Sequence, residues 1–157
     1  MSLAAPKSSV VNGTAFRVAV VAARYNEELA NGLLERVVAG LRAAGVREKN
    51  LTVVRVPGSH EVPVAAALVA HQTQADCVVA LGVLIGGDTR HHEMVGQSVS
   101  QALQTLALAS GIPIINGVIV ADTLAQARTR CVGKINRGAE FASAALDMAA
   151  VKRKFSS

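Results

Sequence analysis

The chain has 157 residues, of which 51% are hydrophobic, 3% aromatic and 17% charged, with a formal net charge of +5. That length fits one domain with a real core, and a core without tryptophan has to be built from Val, Leu, Ile and Ala. The charge does not mark a nucleic-acid binder, because basic residues are scattered from Lys7 to Lys154, cluster only at Lys152-Arg153-Lys154, and have no interleaved aromatics on which bases could stack.

Residues 1–13 are rich in Ser and Ala and read as a flexible tail ahead of a single domain over residues 14–157, with no signal peptide visible. Residues 16–23 are an apolar run of strand length. Asn26 then stands as an N-cap, with Glu27 and Glu28 where the helix dipole favours acids. Leu29, Leu33, Leu34, Val37, Val38 and Leu41 follow at helical spacing, and Gly45 is the stop. Residues 51–56 are a second strand closed by Pro57-Gly58. Residues 60–71 are helical, with Pro63 tolerable in the first turn. A third strand over 76–85 leads to a helix over 90–110, and a fourth strand covers 112–120. Asp122 or Thr123 caps a short helix ending near Cys131, and the last helix runs from 137 to 153. Strands alternate with helices, and most are apolar throughout, which predicts a parallel sheet covered on both faces with ligands gathered at its carboxyl edge.

No charged side chain occurs between Met94 and Ala121. The run does not read as membrane-spanning, because Gln97, Ser98, Ser100, Gln101, Gln104 and Thr105 recur through its first half and Gly111 and Pro113 break it. So much uncharged surface predicts an interface with another subunit. Cys77 and Cys131 are isolated and, without a secretion signal, read as reduced thiols of a cytoplasmic protein.

The stretch from Gly82 to Val95 carries the chemistry. A strand enters the Gly86-Gly87 turn, Asp88 and Thr89 stand as helix-start residues, and His91 and His92 fall in the first helical turn. Unpaired backbone N–H groups and the helix dipole converge there into an anion site. A histidine one turn inside is suited to proton transfer near neutral pH. Together they predict an enzyme acting on a small phosphorylated substrate. A metal held by Asp88, His91 and His92 is disfavoured, because adjacent helical side chains diverge by about 100°.

The strand-end motifs are Arg24-Tyr25-Asn26, then Val-Pro-Gly-x-x-Glu-x-Pro over 56–63, Gly-Val-Leu-Ile-x-Gly-x-Thr-x-His over 82–91, Gln-Ala-x-x-Arg over 126–130 and Asn-Arg-Gly over 136–138. In this order they resemble the 6,7-dimethyl-8-ribityllumazine synthase family of riboflavin biosynthesis, across essentially the whole domain. The resemblance implies a flavodoxin-like three-layer α/β/α subunit with a four-stranded parallel sheet, assembled as a homopentamer or a sixty-subunit cage with active sites between subunits. It implies condensation of 5-amino-6-(D-ribitylamino)uracil with 3,4-dihydroxy-2-butanone 4-phosphate, releasing water and phosphate, with neither metal nor cofactor. The nucleophile is the substrate's own amine, so holding two molecules together is the main expected contribution.

Residue by residue, the resemblance makes His91 the proton-transferring group and Glu140 the acid that orients it. Asp88 and Thr89 take the phosphate, Arg130 clamps it, and Arg137 adds a basic group nearby. Tyr25, beside Asn26, stacks on the pyrimidine. Ser59, His60 and Glu61 hold the ribityl and pyrimidine groups, as do Val83, Leu84 and Ile85 through their backbone. Asn116 falls at the pyrimidine pocket. The chain departs from the family pattern at Gly86, commonly an arginine, and at His60, His92, Met94 and Asn116, where aromatic or aliphatic residues are usual. Those departures define a competing reading, a non-catalytic pentameric scaffold or flavin- or lumazine-binding module. The intact His91 and Arg130 argue against it, because a pure binder needs no proton shuttle.

Overall fold

The computed structural model of the chain describes residues 6, 7 and 10–156, and among these four strands alternate with five helices. In chain order they are β1 (Val18–Ala23), α1 (Glu27–Ala43), β2 (Leu51–Val56), α2 (Val62–Thr73), β3 (Cys77–Ile85), α3 (His91–Ser110), β4 (Ile114–Ala121), α4 (Leu124–Cys131) and α5 (Arg137–Phe155). The strands pair in the order β2-β1-β3-β4, all parallel.

Period-two alternation sorts each strand onto two cores. Val18, Val20 and Ala22 of β1, with Cys77, Val79, Leu81 and Val83 of β3, pack under α1, α4 and α5. Ala19, Val21 and Ala23, with Val78 and Ala80, pack under α2 and α3. The result is the expected three-layer flavodoxin-like α/β/α sandwich. β1 is buried along its whole length, whereas β2 and β4 form the edges and are only partly covered. On β4 this leaves Asn116 and Val120 open on the α3 side.

Element limits differ from the sequence reading where local chemistry decides. Asn26 does precede α1, but in the left-handed region (φ 56°) and with no capping hydrogen bond. Its Nδ2 donates instead to the Val83 carbonyl at 2.8 Å, joining the end of β1 to the end of β3. The helix expected from His60 starts as a 3-10 turn over Ser59–Glu61 before α2 begins. Gly45 follows the end of α1 at φ +95°, the left-handed conformation that a stop requires. Thr123 rather than Asp122 caps α4, its Oγ1 accepting from Gln126 N at 3.2 Å. Asn136 Oδ1 caps α5, accepting from Ala139 N at 3.0 Å.

One residue of the basic C-terminal cluster has a specific partner. Arg153 donates to both Asp76 carboxylate oxygens, at 2.8 and 3.1 Å, and its guanidinium lies 4.7 Å from the Phe16 ring centre. The end of α5 is thereby latched to the start of β3. Burial alone would raise the Asp76 carboxyl, but hydrogen bonds from Arg153 and Arg17 N, with the charges of Arg153 and Lys152, hold it below its ordinary value. At the other end, Gly13 N donates to Ala44 O at 2.7 Å and Val11 packs against the core. Residues 1–5, 8 and 9 of the expected tail lie outside the described residues.

Candidate active site

A cleft of about 720 Å³ opens at the carboxyl ends of β1 and β3, where the strand order reverses. Short loops after β1 and β2, the last residues of β3 and the first turns of α3 line it. Tyr25, Asn26, Ser59, His60, Glu61, Val83, Leu84, Ile85, Thr89 and His91 all face it. Ten residues separated by up to 66 positions in the sequence thus border one cleft.

The loop after β2 is shaped by two close contacts. Glu61 Oε2 accepts from Gly58 N at 2.8 Å, folding residues 58–61 into their turn. Tyr25 lies over Gly58, where a Cβ would come within 3.3 Å of the ring, so the tyrosine spreads across glycine backbone and stays 72% exposed. A broad aromatic face turned outward beside polar groups is a stacking platform for a planar ring. Ser59 is buried against Gly82 of β3, and its Oγ has no hydrogen-bond partner among the described residues. A buried hydroxyl at the cleft wall, left unsatisfied by protein, is open to a polar group of a ligand.

At the other end, Gly86 N donates to Ala121 O at 2.8 Å, and a Cβ at Gly86 would lie 2.5 Å from the Asp122 carbonyl oxygen. The loop therefore runs tight against the end of β4, which only glycine permits. Thr89 and Arg90 lead into α3, with His91 its first residue, exposed, its backbone N–H donating to Thr89 Oγ1 at a long 3.4 Å. Helix dipole, free N–H donors, a threonine hydroxyl and an imidazole together suit an anion that must also exchange protons. Asp88 is on this loop but exposed and outside the cleft lining.

Besides Asp88, four of the expected residues are not brought to this cleft within one chain. Arg130 on α4 is half-buried, its Nη1 donating to Gln126 O at 3.0 Å. Arg137 and Glu140, at the start of α5, form an ion pair with each other. Both helices belong to the layer across the sheet from α3. Asn116 sits on the exposed edge strand β4, its Oδ1 accepting from Val118 N at 3.1 Å.

A family model for 6,7-dimethyl-8-ribityllumazine synthase matches residues 15–153. Relatives bearing that name include the protein of Halorhodospira halophila, 40% identical over 139 residues that span 88% of this chain and 89% of the relative. That of Aquifex aeolicus is 44% identical over 134 residues, covering 85% and 87%. That of Bordetella petrii is 37% identical over 139 residues, covering 88% and 78%. The chain belongs to the 6,7-dimethyl-8-ribityllumazine synthase family.

In this member of the lumazine synthase family the cleft also takes in His92, Met94 and Val95 from α3. Of these, His92 is buried at 9% exposure, on the stripe with Val95, Gly96, Val99 and Leu103. That spacing of three and four marks it as inward-facing. Both cysteines are fully buried and unpaired, and burial pushes Cys77 up to about 12 and Cys131 up to about 11. Neither lines the cleft, so thiol nucleophilicity has no place in it.

Proposed function

We propose that the chain is a 6,7-dimethyl-8-ribityllumazine synthase, joining 5-amino-6-(D-ribitylamino)uracil to 3,4-dihydroxy-2-butanone 4-phosphate with release of water and phosphate. The observation that carries this reading is the cleft, which places a stacking aromatic at one end and a helix-start anion site with a histidine at the other. Tyr25 stacks on the pyrimidine, the backbone of Val83 to Ile85 meets its polar edge, and Ser59, His60 and Glu61 hold the ribityl chain near Asn26. Thr89 and the N–H groups at the start of α3 take the phosphate, with Asp88 contributing through its backbone because its side chain is exposed. The substrate amine attacks the ketone and one water is lost to give an imine. Phosphate is eliminated to leave an enol that tautomerises to a ketone, and the ribityl-bearing nitrogen closes the ring on that carbonyl with loss of a second water. His91 passes protons between these steps, and proximity supplies most of the acceleration.

Asn116, Arg130, Arg137 and Glu140 complete the site from a neighbouring copy in a homopentamer or a cage of pentamers. Two observations support this. They lie away from the cleft of their own chain, and the uncharged segment leaves Met94, Leu108 and Val120 exposed on the α3 side of the molecule. No helix of the described residues is long and apolar enough to cross a membrane. The two unpaired buried thiols support a cytoplasmic location.

The test mixes purified protein with both substrates and follows the fluorescent lumazine above the uncatalysed background. His91→Ala is expected to slow formation by about 10²-fold without reducing it to background. A wild-type rate no faster than background would overturn the catalytic reading.

A further inference from the structure

We propose that His92, Glu93 and Asp122 form a binding site for one transition-metal dication, of which Zn²⁺ and Co²⁺ are representative. One ligand atom from each residue lies within 4.8 Å of the other two. His92 is the fixed member: its side chain is 10% exposed, yet neither ring nitrogen has a hydrogen-bond partner among the described residues. Two ring nitrogens withdrawn from water without partners are costly to bury, so their placement calls for a ligand. Nε2 points toward Asp122 Oδ1 at 3.7 Å, beyond hydrogen-bond range.

The donors stand on elements that hold their backbones still. His92 and Glu93 lie in the first turn of α3. Asp122 follows β4, with its backbone N donating to Gln126 Oε1 at 2.9 Å and its carbonyl pressed against Gly86. Ligands around a tetrahedral dication are about 3.4 Å apart, so the present spacing has to contract by roughly 1 Å. The two carboxylates can supply that movement, because both are exposed while the imidazole is packed in place. Adjacent helical residues diverge, but the longer Glu93 side chain swings its carboxylate back toward the His92 ring. One imidazole with two carboxylates selects a borderline dication over Mg²⁺ or Ca²⁺, which prefer all-oxygen shells. The ion would tie the start of α3 to the turn between β4 and α4, at the wall of the cleft to which His92 belongs. The proposed condensation does not depend on it.

Untagged full-length protein, stripped with chelator and dialysed, is titrated with Co²⁺ by visible absorption and with Zn²⁺ by calorimetry. The expected result is one saturable site per chain, with a thermal midpoint raised by the ion and no competition from Mg²⁺. Asp122→Asn and Glu93→Gln keep size and exposure, so they preserve the fold, and each should weaken binding by at least about 100-fold. His92→Phe should abolish it, and His91→Ala should leave it intact. Absence of saturable binding overturns the proposal. So does binding that disappears in His91→Ala but survives in Asp122→Asn, which would put the ion on the exposed histidine. Because the readout is ion binding, either failure leaves the lumazine assay unaffected.

Discussion

Ser59 and Gly82 show how one missing side chain shapes the cleft. A Cβ at Gly82 would lie 2.3 Å from Ser59 Oγ and 3.2 Å from its Cβ. Gly82→Ala must therefore push the serine and its turn outward, at a cost of about 1–3 kcal/mol of stability. Chemical denaturation should show that loss, and substrate KM should rise with it. The two thiols give a second prediction at this scale. Neither Cys77 nor Cys131 should react with a thiol reagent at pH 8 until the protein unfolds, because both are buried. Their raised values also set a sign: above the ordinary thiol value of 9.0 the unfolded chain releases protons that the folded chain retains, so stability falls there as pH rises. At this scale the sequence is readable where chemistry is local, as at the Gly45 stop after α1. It misleads at Asn26, whose residue type suits a cap while its amide reaches 57 positions along the chain to Val83.

Among the elements, the short helix α4 depends on its cap. It has eight residues, and Thr123 supplies its N-terminal side-chain bond. Thr123→Ala should cost about 1 kcal/mol, measurable by urea denaturation. The latch between α5 and β3 is more consequential. Asp76 is 7% exposed and receives Arg153, with Lys152 3.9 Å away. Its folded-state value is depressed, so its contribution is present above the ordinary carboxylate value of 3.8 and is lost as pH falls through the lower folded value. Asp76→Asn should destabilise by about 1–3 kcal/mol at pH 7, and the gap from wild type should narrow in acid. The run Lys152-Arg153-Lys154 looks like a solvated face because its acidic partner stands 77 positions earlier, and no local pattern relates the two.

The whole molecule divides the expected site. His91, Thr89 and Tyr25 border one cleft, while Arg130, Arg137 and Glu140 lie in the opposite helical layer. If neighbouring copies complete each site, His91→Ala and Arg130→Ala should complement one another. Co-refolded mixtures would then contain about a quarter of sites with both residues intact, and activity should exceed that of either variant alone. Mixtures that show only the average of the two variants would rule out the shared site.

The sequence by itself determined the layer architecture, since continuous apolar strands alternating with amphipathic helices can bury themselves only in a parallel sheet covered on both faces. It also determined which loops turn polar, and therefore which edge of the sheet holds the cleft. Tertiary structure decided the rest. It turned Asn26 inward, set Arg153 on Asp76, pointed His92 at Asp122 and kept Arg130 and Glu140 away from His91. Each of these depends on contacts between residues remote in the chain, fixed by strand order and helix packing, and the periodicity of a single segment carries no information about them.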